Sequence, residues 1–209
     1  LKITKYPQSC LKIEDAGHAL LVDVGTLATA DYAVADFGQF DAVLFTHSHA
    51  DHFDVDKLDE LAATGAQIYG NTNVAQLAGA TKVEVVGENE ELVVAGFKVK
   101  AVAMEHCLMV DGEPAGLPNT GFLINDRLLL PGDSTEDVEV TAEIVALPIF
   151  GPDISLKDAF GLAQATKAKI LIPVHYDVAS MNPAVFERLG GRGLDATITT
   201  LKNGESTEL

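Results

Sequence analysis

The 209-residue chain predicts an α+β fold, a four-layered αβ/βα sandwich, and three observations point to it. Alternating and β-branched runs come in two blocks, with helix-like stretches among and after them, so helices can cover sheets on both sides. The β-α alternation is too irregular for a plain doubly wound sheet. Neither a Gly-x-Gly-x-x-Gly turn nor a P-loop occurs, so the phosphate cradle of that alternative is missing as well. The length fits one domain, residues 1–209, with two similar halves.

Taken in order, residues 1–6, 10–14, 19–24 and 41–45 are strand-like runs bounded by turn residues. A helix is expected over 56–63, a short strand at 67–69, and a helix over 73–77 with Asn71 or Thr72 as its cap. Strands follow at 82–86, 91–95, 98–103, 121–125 and 127–130, and Asn125-Asp126 suits a tight hairpin between the last two. Ser155-Leu156-Lys157-Asp158 has the form of a capping box opening a helix to about residue 167. Residues 169–174 read as a buried strand with Pro173 near its end, 183–189 as a helix and 196–201 as the last strand. Gly190-Gly191-Arg192-Gly193 reads as the loop before it.

Composition narrows the function classes. Hydrophobic residues make up 47% and charged residues 22%, a globular balance without a disorder signature. No apolar run approaches the ~20 residues that span a bilayer, and the first residues alternate like a strand instead of forming a signal-peptide core. With only Cys10 and Cys107, a disulfide framework is not expected, and a reducing cytoplasm is the expected location. Fourteen basic residues against 31 acidic ones give a net charge of -17. That balance disfavours nucleic acid and anionic membranes as partners, because both are bound through Lys and Arg. A small-molecule substrate is the expected partner; no feature assigns an oligomeric state.

The strongest signal is His47-Ser48-His49-Ala50-Asp51-His52, which follows the apolar run Val43-Leu44-Phe45-Thr46 and precedes a helix-like stretch. Imidazole is the commonest biological metal ligand. In an extended loop His47 and His49 point to one side, and Asp51 and His52 fall where the chain turns. One segment can thus offer two ligand pairs to two neighbouring cations. His106, Asp133 and His175 each follow an apolar strand-like run, where a rigid sheet holds a side chain beside open loops. A lone histidine in such a place is usually structural, but two with an aspartate beside this motif read as ligands.

The order His47-x-His49-x-Asp51-His52, His106, Asp133, His175 resembles the metallo-β-lactamase-fold hydrolase superfamily, and Leu21–Gly25 (LVDVG) looks like its first motif. The resemblance runs from Asp23 to His175. It implies a dinuclear site in which His47, His49 and His106 hold one metal, Asp51, His52 and His175 hold the other, and Asp133 bridges. It also implies that Asp23 supports the ligand turn by hydrogen bonding. This ligand set suits two divalent ions, zinc first, with manganese or iron as alternatives. The absence of thiolates argues against a closed structural zinc site. The opening residues are similar to a compact branch that includes ascorbate-6-phosphate lactonase-like and N-acyl-phosphatidylethanolamine phospholipase-like proteins. That branch commonly carries Gly-His where this chain has Pro7-Gln8. A bridging aspartate in place of cysteine counts against antibiotic hydrolysis.

The expected activity is metal-dependent hydrolysis of a small ester, lactone or phosphodiester by a metal-bridging hydroxide, with Asp51 orienting the nucleophile or shuttling its proton. Alternatives are a metal-binding regulatory or scaffold protein without turnover, and a nuclease of the same fold, for which no basic arm is evident. A redox di-iron protein would more typically have Glu at the position of His49. Tyr176 is either a proton donor or core packing, His18 is a surface residue of a turn, and Cys10 belongs to the core. Cys107 should point away from the metals if the strand before it continues. The loop 107–118, with Met109, Val110 and Leu117, is the expected substrate-side element.

Overall fold

The computed structural model describes residues 1–79, 82–177, 181–190 and 193–209. Six strands of a first sheet come in order: β1 Lys2–Lys5, β2 Leu11–Asp15, β3 His18–Val22, β4 Ala42–Phe45, β5 Gln67–Gly70 and β6 Glu84–Val85. A second sheet takes β7 Glu91–Val94, β8 Phe97–Ala103, β9 Thr120–Ile124, β10 Leu128–Leu130, β11 Ile144–Pro148, β12 Ile170–Val174 and β13 Thr197–Ile198. The chain then returns to the first sheet as β14 Ser206–Glu208, pairing with β1. The spatial orders are β14-β1-β2-β3-β4-β5-β6 and β13-β12-β11-β10-β9-β8-β7. Each sheet is antiparallel through its hairpins and turns parallel where crossovers begin, at β3–β4 and at β10–β11.

Alternation along the strands builds the layers. Leu20, Val22 and Leu44 meet Phe122, Ile124, Ile144 and Ile172 between the sheets. The opposite faces of the same strands, at Leu21, Val43 and Phe45, pack on helices α1 Thr26–Asp31, α2 Leu58–Ala63 and α3 Thr72–Ala78. On the far side Leu123, Val145 and Leu171 pack on α4 Leu156–Ala165 and α5 Ala184–Gly190. The layers are therefore helices, sheet, sheet, helices, the sandwich that the sequence predicts.

Local signals acted where they were read. Asn71 Oδ1 accepts from the backbone of Asn73 and Val74 and caps α3. Ser155 and Asp158 form the capping box of α4. Asn125 and Asp126 both take positive φ, 51° and 53°, as a tight hairpin between β9 and β10 requires. Pro173 is tolerated inside β12 because β13 pairs only with Ile170 and Leu171.

Other expectations are corrected. The helix expected over 56–63 starts at Leu58, after a 3-10 turn at Val55–Lys57. The strands expected at 82–86 and 196–201 shrink to two residues each. Among the described residues, α1, β11, β14 and a 3-10 turn at Val34–Phe37 were not expected. The loop read at Gly190–Gly193 is only partly visible, since Gly190 closes α5 and residues 191 and 192 lie outside the described ones.

Candidate metal centre

The candidate ligands gather where strands of both sheets end. Asp23 follows β3, His47 follows β4 by one residue, and His106, Asp133 and His175 follow β8, β10 and β12. Tight backbone brings them close. Asp23 and His175 take φ of 50° and 59°, a left-handed geometry that non-glycine residues rarely adopt and that clusters at functional sites. Gly25 lies so near the Asp51 carbonyl that a Cβ would collide with it, so the His47–His52 loop can fold against the end of β3 only with glycine there.

Two groups result. The ligand atoms of His47, His49, His106 and Asp133 all lie within 4.8 Å of one another, and so do those of Asp51, His52 and His175. Asp133 stands between the groups. Its Oδ1 is 3.0 Å from His52 Nε2, and its Oδ2 is 3.0 Å from His175 Nε2 and 3.6 Å from His106 Nε2. All seven side chains expected as ligands are thus brought to one place.

A surrounding shell aims the rings. His52 Nδ1 donates to Asp23 Oδ2 at 2.8 Å, and His106 and His175 donate through Nδ1 to the carbonyls of Cys107 and Phe150. His47 Nδ1 lies 3.0 Å from Thr46 Oγ1, whose own proton goes to Asp23 Oδ2. Carboxylates and carbonyls only accept, so Nδ1 carries a proton in these rings and Nε2 is left to face the centre. Asn119 bonds the carbonyls of Met104 and Pro131 and accepts from the Asp133 backbone, tying the loops of two ligands together.

Thr46, Asn119 and the Phe150 carbonyl were missed from the sequence, because each owes its place in the hydrogen-bond shell to a partner distant in sequence. Gln8 was noted only as a departure from a pattern. It is buried at φ 64° in the β1–β2 turn, and its Nε2 donates to Asp51 Oδ2 at 2.8 Å. The remaining sequence candidates resolve simply. Tyr176 is core, its hydroxyl bonded to the Leu201 carbonyl at 3.2 Å with Lys5 over its ring, so it is not a proton donor to the centre. His18 is exposed beside Asp41, at the start of β3 rather than in the turn before it. Cys10 lies in the core between the first sheet and its helices. The strand before Cys107 ends at Ala103, so strand geometry does not set its direction; it lines a groove with Asp153 instead of the central cavity.

Electrostatics fit cations. Burial pushes His47 well below the ordinary imidazole value and lowers His49 as well. At His52 and His175 burial is the largest single influence and opposes charge, but the carboxylates together outweigh it, Asp133 with Asp23 at His52 and Asp133 with Asp51 at His175, raising His52 well above its ordinary value and His175 to about 9. Burial works against the charge of Asp133 and Asp51, yet the neighbouring histidines hold both carboxyls below the usual range. His47 Nε2, His52 Nε2, His175 Nε2 and Asp133 Oδ1 are buried and make no hydrogen bond. Such atoms are costly in a protein interior unless something else satisfies them, and their convergence fits metal ions.

A cavity of about 490 Å³ opens over His49, Asp51, His106, Asp133 and His175, walled by Met109, Val110, Phe150 and Pro152. A larger one, about 1080 Å³, lies around Lys12, His18 and Asp41 and shares no residue with the centre.

Comparison with known proteins agrees with this geometry. Residues 2–175 match the family model described as a beta-lactamase superfamily domain. A UPF0173 metal-dependent hydrolase of Methanocaldococcus jannaschii is 28% identical, with 84% of each chain covered. A UPF0173 protein of Pyrococcus furiosus is 26% identical over the whole of both chains. Among solved structures, the metallo hydrolase Igni18 of Ignicoccus hospitalis superposes with a TM-score of 0.79 at 17% identity, covering all of this chain and 98% of that one. With two mixed sheets between helices and a His/Asp centre at the strand ends, the chain belongs to the metallo-β-lactamase-fold superfamily of metal-dependent hydrolases.

Proposed function

We propose that the protein is a dinuclear, zinc-dependent hydrolase of a small ester, lactone or phosphodiester, working in the cytoplasm. His47, His49 and His106 would hold one cation and Asp51, His52 and His175 the other, with Asp133 shared. The four buried atoms of His47, His52, Asp133 and His175 without hydrogen-bond partners support this reading, since they converge from both ligand groups. Two free cysteines accord with a reducing compartment, and no helix among the described residues is long and apolar enough to cross a membrane.

Two divalent cations, when bound, supply Lewis acidity toward the substrate oxygen and a water acidic enough to ionise near neutral pH. The chain's own part is positioning and proton handling. Asp133 is 3% exposed, whereas Asp51 is 27% exposed and borders the cavity. Asp51 is therefore the carboxylate able to take a proton from the attacking water and return it to the leaving group. Gln8 fixes its Oδ2, and the Phe150 carbonyl fixes the ring of His175 beside it.

Elemental analysis of protein purified without chelator tests the proposal. Close to two equivalents of zinc, manganese or iron per chain are expected. The His49→Ala variant should lose metal and hydrolysis together. Unchanged metal content and hydrolysis in that variant would sink the assignment.

A further inference from the structure

The cavity over the centre has a polar floor and apolar walls. Its apolar lining comes from two segments: Met109 and Val110 from the one joining β8 to β9, and Phe150 and Pro152 from the one after β11. Val110 is 86% exposed and Phe150 39%. Single exposed apolar residues are ordinary, but these four apolar side chains, with Met109 half-buried and the other three exposed, border one cavity over a cluster of ligand-type side chains and offer an apolar ligand something to cover.

Positive charge is missing from the same place. Among the described residues, no Lys or Arg lines this cavity. Several cations are paired with acids elsewhere: Lys5 with Asp177, Lys57 with Glu60, Lys98 with Asp126, Arg127 with Glu143 and Lys169 with Asp195. Two grooves that include His106 carry Glu88, Glu105, Glu136, Asp137, Asp153 and Asp158 and, among the described residues, one cation, Lys157. Sites for phosphoryl groups are normally clamped by metal ions together with Arg, Lys or helix N-termini, and the cations proposed for this centre would have no such side-chain partner in the cavity lining. Here a phosphate substrate would approach through a negative field, in a chain of net charge -17.

We infer that the substrate is an uncharged carboxylic ester or lactone bearing an apolar acyl or alkyl group, and that phosphate esters are poor substrates. The apolar group sits against Met109, Val110, Phe150 and Pro152, with the carbonyl over the floor. This rests on the hydrolase reading of the same site and narrows it. The water oxygen bonds to the carbonyl carbon, the acyl C–O bond breaks, and the alkoxide leaves with the proton Asp51 accepted. An acid and an alcohol result.

Metal-loaded protein is assayed with p-nitrophenyl acetate, butyrate and hexanoate and with bis-p-nitrophenyl phosphate. Burying a methylene is worth up to about fourfold in affinity, so kcat/KM is expected to rise about tenfold or more from acetate to hexanoate, mostly through KM. The phosphodiester should be at least about a hundredfold poorer than hexanoate. The Val110→Lys and Phe150→Ala variants should keep their metal content and raise KM for hexanoate about tenfold. Binding of the neutral fluorophore N-phenyl-1-naphthylamine provides a readout independent of turnover, and both variants should weaken it. A flat acyl series, preference for the phosphodiester, or unchanged fluorophore binding in both variants would each overturn the inference. If nothing in the panel is hydrolysed, the hydrolase reading fails, and the fluorophore still decides whether the walls take an apolar ligand.

Discussion

Asp23 never reaches the cavity, yet one of its oxygens serves both His52 and Thr46. Replacing it with Ala removes that acceptor while leaving the Nε2 atoms in place. A loss of about 10–100-fold in metal affinity is expected, measured by competition with a chromophoric chelator. Gln8→Ala releases Asp51 Oδ2 and should lower affinity at one of the two sites more than at the other, which a two-step titration resolves. Ionisation of the centre also has a direction. In chelated protein, the raised value of His175, about 9, stabilises the fold fully below the unfolded value near 6.5, and this contribution disappears as pH rises through 9. The depressed carboxyl of Asp133 contributes above about 4 and fails as pH falls below it. Thermal melts of chelated protein should therefore show stability decreasing from about pH 6.5 to 9. Metal affinity should run the other way, because binding displaces the protons of His52 and His175. The candidate ligands could be picked out because four of them lie in one short run and the rest follow strand-like segments. The role of Gln8 was not, since only the left-handed turn between β1 and β2 carries it to Asp51.

At the level of elements, helix caps and hairpins could be read because their signals are local. Ser155 accepts from the Asp158 backbone at 3.2 Å, and Ser155→Ala should destabilise the protein by about 1 kcal/mol in urea melts. Strand β11 escaped detection for a physical reason. All five of its residues are buried between parallel neighbours β10 and β12, so the run shows no polar alternation, and it ends in Pro148. Helix α1 buries one side chain, Ala28, and lacks a side-chain cap, which leaves little periodicity to read. Strand β14 is a polar edge whose identity depends on β1, more than 200 residues earlier in the chain. The segments without regular structure around Cys107 and Phe150 could be placed only by folding.

At the level of the whole molecule, 31 acidic and 14 basic residues imply self-repulsion that salt relieves. The melting temperature should rise between 20 mM and 0.5 M sodium chloride, and a falling one would contradict a dominant repulsive term. The sandwich itself was readable because its two blocks of strands repeat one plan. What could not be read was how the blocks face each other, since that depends on the pairing of Leu20, Val22 and Leu44 with Phe122, Ile124 and Ile172.

Both ligand groups draw from both sheets: His47 and His49 stand with His106 and Asp133, and Asp51 and His52 with His175. Cations held there would act as rivets through the seam between the halves, so the halves could not part without breaking coordination. At a thousandfold excess over the dissociation constant, such a rivet adds about 4 kcal/mol to the native state. Because parting the seam requires releasing the ions, the effect should fall chiefly on the unfolding rate, with chelation turning a slow opening into a fast one.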